Sequence, residues 1–251
     1  MVSIQVQGVT FDNISAVIFD KDGTLENSEN FLRNLAQKRS RLIDAQIPGI
    51  GDPLLMAFGV DGDRLDPAGL MAVGSRRDNE IAAAAYIAET GRGWLESLQI
   101  ARRAFDEADQ YWKDAPPSPL FPGSSEVLKL LAEVGLKLAI LSAAPQRVVK
   151  AFVEYYQLGD YIQVQMGVDQ GLSKPDPVLF YQACKDLDVQ PSNTLMVGDA
   201  AVDMEMAKRA GAAGCIGISW NPVGAINLYR ADVIITQLDE IQVLQTTNDS
   251  E

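Results

Sequence analysis

Histidine is absent from all 251 residues. Its absence removes every mechanism built on an imidazole, including Ser-His-Asp triads, histidine zinc sites and phosphohistidine chemistry, and leaves acid–base work to carboxylates. Cysteine is scarce: only Cys184 and Cys215 occur, both in apolar surroundings and not in a CxxC pair. They read as buried thiols, without a disulfide framework. Positive charge is short, with 21 Lys and Arg against 34 Asp and Glu and a net charge of -13. That balance argues against nucleic acid or an anionic membrane as partner. Long apolar runs are missing too, so no membrane span is expected. The start, Met1-Val-Ser-Ile-Gln-Val, lacks the basic and apolar segments of an export signal, and the expected location is the cytoplasm.

The length allows one well-buried domain plus an insertion. After Leu25 the chain enters a long stretch with apolar residues at spacings of three and four: Phe31-Leu32-Leu35, Ile81-Ala82-Ala85-Tyr86 and Trp94-Leu95-Leu98-Ile100-Ala101. This predicts a helical block without a convincing strand. Pro116-Pro117-Ser118-Pro119 closes it as a stiff linker. Beyond it, short apolar strands at residues 137–142, 193–199, 214–219 and 232–236 alternate with helical segments at 126–134, 178–187 and 203–210 and a further one near Leu238. That alternation predicts a doubly wound, mostly parallel Rossmann-like α/β sheet. The run Ala16 to Asp20 supplies one of its strands, so the helical block interrupts a single α/β domain: 1–26 and 117–251 form the core, 27–116 an all-helical insertion. A weak edge strand is expected around Ile4 to Phe11, and the polar residues 246–251 are expected to fray.

Four strand ends carry the chemistry, and in a doubly wound sheet they face one crevice. The segment Ser15 to Leu25 (SAVIFDKDGTL) ends an apolar run in Asp20 and Asp22. Two carboxylates this close repel unless a divalent cation neutralises them or they divide acid and base roles; Asp-Gly is also common turn chemistry. Ser142 ends the run Leu138-Ala-Ile-Leu141 and is either an anion donor or a helix cap. Lys174 stands in the Gly171-Leu-Ser-Lys-Pro-Asp-Pro177 loop, as a site cation or a solvated surface charge. Asp199 and Asp203, four apart at a strand-to-helix turn, read as ligands or as capping groups.

Taken together and in this order, DxDGT, a strand-end Ser, Lys-Pro-Asp-Pro and GDxxxD resemble the haloacid dehalogenase superfamily of phosphohydrolases. The helical block resembles the cap of its phosphoglycolate phosphatase and β-phosphoglucomutase branch. The resemblance implies Asp20 as nucleophile, forming an aspartyl phosphate, and Asp22 as the acid and base. It implies Mg2+ held by Asp20, the Asp22 carbonyl and Asp199, with Asp203 close by or acting through water. Ser142 and Lys174 would bind phosphate oxygens, with Gly23 and Ala143 in the same phosphate-binding set. One departure is visible: Ala143 and Ala144 follow Ser142, where the family commonly has Asn or Gly.

Asp22 separates the chain from dehalogenases, and the lack of a cap histidine favours hydrolysis over phosphomutase chemistry. The expected activity is Mg-dependent hydrolysis of a small phosphorylated metabolite, a phosphoglycolate-like acid or a sugar phosphate. The alternatives are a sugar phosphomutase of the same branch and a non-catalytic metabolite-binding module. Nine of the twelve arginines fall in residues 27–116. Of these, Arg76 or Arg77, with Ser75 as a third candidate, is expected to contact an anionic or hydroxylated part of the substrate. The partner expected is a small-molecule phosphate ester, on a monomer or weak homodimer.

Overall fold

The computed structural model describes residues 2–169, 171–221 and 224–244; the polar tail, 246–251, lies outside them. The chain begins with β1 (Val2–Val6), β2 (Val9–Ile14) and β3 (Ala16–Phe19). The helical block follows as α1 (Glu29–Asp44), α2 (Gly51–Phe58), the short strands β4 (Val60–Asp61) and β5 (Arg64–Leu65), α3 (Leu70–Val73), α4 (Arg76–Glu89) and α5 (Trp94–Tyr111). Then come α6 (Ser124–Glu133), β6 (Lys137–Leu141), α7 (Gln146–Tyr155), β7 (Val164–Met166), α8 (Pro177–Asp186), β8 (Thr194–Gly198), α9 (Ala201–Arg209), β9 (Gly214–Ile218), β10 (Val233–Ile235) and β11 (Ile241–Leu244).

Six strands form the central sheet in the order β10-β9-β8-β3-β6-β7, every pair parallel. Their sequences are apolar without alternation because both faces are covered: β3 and β8 are buried at every residue. One face packs on α6 and α7, through residues such as Leu128, Leu131, Val149 and Phe152. The other packs on α8 and α9, through Phe180, Cys184, Met204 and Ala207. The helical block has its own core, centred on Ile43, Leu54, Phe58, Ile87 and Phe105. It leaves and rejoins the sheet through adjacent segments, since Asn27 N donates to Pro119 O (2.8 Å) and Phe121 N to Leu25 O (2.9 Å).

Three expectations change. The N-terminal edge strand is instead the hairpin β1–β2, turning at Gln7 and Gly8, which joins β11 in a separate antiparallel sheet. The helical block contains the two-residue strands of the β4–β5 hairpin. The buried faces of α4 and α5 are also rotated from the ones picked by large side chains. Ile81 and Leu95 are exposed, while Ala83, Ala84, Ala101, Ala104 and Ala108 are buried.

Candidate active site

The carboxyl ends of β3, β6 and β8, with the loop before α8, converge on one centre. Asp20 directly follows β3, and its amide donates to Val197 O of β8 at 2.8 Å. Lys174 reaches in from its loop with Nζ 2.7 Å from Asp20 Oδ1 and 2.6 Å from Asp203 Oδ1. The loop is anchored by Asp176, which accepts from Val178 N (2.9 Å) and caps α8 with Pro177 in its first turn. Asp203 is held in turn by Ala200 N at 3.3 Å across the start of α9. Asp199 precedes that helix, and oxygens of Asp20, Asp199 and Asp203 lie within 4.8 Å of one another.

Two glycines permit this approach. A Cβ at Gly23, whose φ is +78°, would sit 1.9 Å from Asp199 Oδ2. One at Gly198 would sit 2.6 Å from Asp203 Oδ2. The Asp22–Glu26 turn is tied down by Gly23 N donating to Glu26 O (2.9 Å). Trp220, stacked on Phe121, donates from Nε1 to Gly23 O (3.0 Å). The Gly23 amide is therefore engaged within the loop and does not face an anion, contrary to the expectation for it.

The two aspartates of the first motif are held differently. Burial pushes Asp20 up from 3.8 to about 7, the nearby Asp203 and Asp22 charges add to the rise, and Lys174 pulls against them. Asp199 is pushed well above the carboxylate range by burial and by Asp20 and Asp203. Asp22 turns away from the cluster. Burial pushes it up as well, but the Lys21 ammonium at 2.7 Å outweighs that and lowers it, helped by Ser142 Oγ donating to Oδ2 at 3.3 Å. Lys21 itself is buried between Asp22 and Glu26, with the Phe152 ring 5.5 Å away. Lys174 is raised because its two carboxylates overcome the desolvation that opposes its charge. With all three carboxylates ionised, the single ammonium would leave the cluster two negative charges in excess. Hard oxygens so placed fit a divalent cation such as Mg2+.

Asp20, Asp22, Ser142, Lys174, Asp199 and Asp203 are thus brought together as the sequence predicts. The residues at the helical block are not. Arg77 is partly exposed, 3.8 Å from Glu80, and is not part of the cleft. Arg76 lines the cleft but is engaged by Glu80 (2.8 Å), Asp106 (2.6 Å) and Asp109 (3.3 Å). Ser75 is the N-cap of α4 in a capping box with Asp78. Sequence reasoning missed Lys21, Glu26, Asp109 and Trp220. A lysine between two aspartates at the end of an apolar strand was the available signal for Lys21; nothing local marked the others.

Fold and site together define an α/β enzyme with an acidic, lysine-clamped centre at the carboxyl edge of a parallel sheet. The model of the haloacid dehalogenase-like hydrolases matches residues 14–211, and the chain belongs to that family. It is similar to a phosphoglycolate phosphatase of Pseudomonas savastanoi pv. phaseolicola, 28% identical over 214 residues, covering 81% of this chain and 69% of the relative. A phosphoglycolate phosphatase of Shigella boydii is 27% identical and covers 92% of both chains. Among solved structures, a predicted phosphoglycolate phosphatase from Haemophilus somnus superposes with a TM-score of 0.66 at 19% identity, covering 90% of this chain and 95% of that one. A β-phosphoglucomutase from Clostridium difficile gives 0.65 at 16%, covering 91% and 93%. At those identities the structures speak for the fold.

Proposed function

We propose that this phosphoric monoester hydrolase is a magnesium-dependent phosphatase working through a phosphorylated Asp20, with residues 27–116 acting as a cap over 1–26 and 117–251. The observation that carries the reading is the opposite environment of the two aspartates, one clamped by Lys174 in the acidic cluster and the other held ionised by Lys21.

In the first half of the reaction an Asp20 oxygen attacks phosphorus in line, a P–O bond to Asp20 forms and the P–O bond to the leaving alcohol breaks. Asp22 gives the departing oxygen a proton. It takes that proton from solvent when a phosphate dianion arrives beside it, since a like charge raises a carboxylate's proton affinity. Left ionised, as in the resting site, Asp22 then takes a proton from the water that attacks phosphorus, freeing Asp20 and inorganic phosphate. Lys174 holds Asp20 and offers its charge to phosphate oxygens, and Ser142 adds a hydroxyl. Asp20, Asp199, Asp203 and the Asp22 carbonyl would hold Mg2+, which supplies charge neutralisation at the transferring group. Such local attraction is needed because a net charge of -13 repels a phosphate ester.

The relatives' names put a phosphorylated two-carbon acid first among candidate esters. No helix among the described residues is long and apolar enough to cross a membrane. The test is phosphate release from p-nitrophenyl phosphate. We expect turnover with Mg2+, background with EDTA, and a loss of several orders of magnitude in Asp20→Asn; full activity in EDTA would sink the metal assignment.

A further inference from the structure

A cavity of about 380 Å3 opens beside Asp22, between the sheet edge and the helical block. That is the size range of sites for ligands with a substantial carbon skeleton, far above the need of a two-carbon acid. Its inner end carries Lys21, Asp22, Ala143 and Ala144. The two alanines that depart from the family's strand-end pattern thus put methyl groups beside the Lys21–Asp22 pair. The walls are Phe31, Leu35, Met71 and Trp112 on one side and Val148 and Phe152 on the other. Phe31 and Trp112 meet edge-on, with ring centroids 5.9 Å apart.

Apart from Lys113, the charged groups lining this space are paired with others nearby. Asp109 takes Arg39 at 3.1 Å, Arg147 at 2.9 Å and Arg76 at 3.3 Å, and Arg76 also pairs with Glu80 and Asp106. Lys21 is held by Asp22 and Glu26. Lys113 stands exposed on the helical side of the cavity. Trp112 Nε1, Asn79 Oδ1, Arg39 Nε and Arg76 Nε are buried without a hydrogen-bond partner. Three of these are donors and Asn79 Oδ1 is an acceptor, few for a lining made mostly of carbon.

We propose that the ester this site takes is the phosphate monoester of a bulky, largely apolar alcohol, its carbon skeleton against Phe31, Leu35, Trp112 and Phe152. The assignment rests on the phosphatase reading for where the phosphate sits, and it replaces the two-carbon acid and the sugar as leaving groups.

Alkyl esters of similar leaving-group acidity isolate the effect. With the magnesium enzyme, kcat/KM should rise about tenfold or more from ethyl to 2-phenylethyl phosphate. Phosphoglycolate should do no better than ethyl phosphate. Trp112→Ala should cut the 2-phenylethyl-over-ethyl ratio about fivefold. Phosphoglycolate outpacing the 2-phenylethyl ester, or an equal loss on every ester in Trp112→Ala, would overturn the assignment. Titration calorimetry of the wild type with hexylphosphonate and 3-phosphonopropionate separates binding from turnover. Tighter hexylphosphonate supports the apolar cavity even if no ester is hydrolysed, an outcome that would defeat the phosphatase reading alone. Tighter 3-phosphonopropionate refutes the apolar assignment whatever the turnover.

Discussion

Asp20 and Asp22 are separated by one residue, yet one is raised to about 7 and the other lowered. The difference comes from neighbours remote in sequence for Asp20 and adjacent for Asp22. Gly23 lets both arrangements coexist, because only a residue without Cβ leaves room for Asp199 at a φ of +78°. Gly23→Ala should therefore displace Asp199 as well as strain the turn. The expected stability cost is about 1–2 kcal/mol. The expected loss in kcat/KM is about 100-fold, as for a misplacement of order 1 Å. Denaturant midpoints and steady-state kinetics measure the two separately; an active variant destabilised by the same amount would show that Asp199 can move without cost.

Among the elements, the strands were legible and the helix faces only partly so. An apolar run without alternation has one stable home, a strand covered on both sides, and β3, β6, β8 and β9 all lie there. β7 escaped notice, being three residues long and only partly buried. So did β11, which is paired solely with β1. In α4 and α5 the period predicted helices, but the side of contact is chosen by small residues. Ala83 and Ala84 of α4 and Ala101, Ala104 and Ala108 of α5 are buried, while Leu95 is 68% exposed. Each buried face thus joins small residues to one large apolar side chain, Ile87 in α4 and Phe105 in α5. Ala104→Leu should overpack the pair and cost about 1–3 kcal/mol. Leu95→Gln should change stability by less than about 0.5 kcal/mol. Urea midpoints decide between this arrangement and one with Leu95 in the core.

The whole molecule carries an excess of negative charge, concentrated usefully at the buried cluster. In the metal-free protein, Asp20 titrates near 7 in the folded state against an ordinary value of 3.8. The folded state then binds more protons than the unfolded one between those values, so Asp20 contributes stability below about pH 3.8 that is lost as pH rises through 7. Asp199, raised in the same direction, adds to the loss. A divalent cation binds the ionised cluster and offsets it by mass action. The increment in Tm on adding Mg2+ should accordingly grow from pH 5 to pH 8. An increment independent of pH, or none, would argue against a cation at Asp20, Asp199 and Asp203.

What the sequence by itself determined is the sheet and the chemistry at its edge. Strand burial is written in a local run of apolar residues, and each site residue stands at the end of such a run, so topology alone gathers Asp20, Ser142 and Asp199, with Lys174 and Asp203 beside them. What only the tertiary structure decided is the character of the cleft. Arg39, Arg76 and Arg147 are bound to Asp109 across long sequence separations, and no periodicity records which cation meets which carboxylate. A count of arginines in the helical block pointed to contact with an anionic or hydroxylated part of the substrate. On the proposed reading their pairing leaves Phe31, Trp112 and Phe152 to meet the leaving group, because ion pairing is settled by geometry in three dimensions and not by composition.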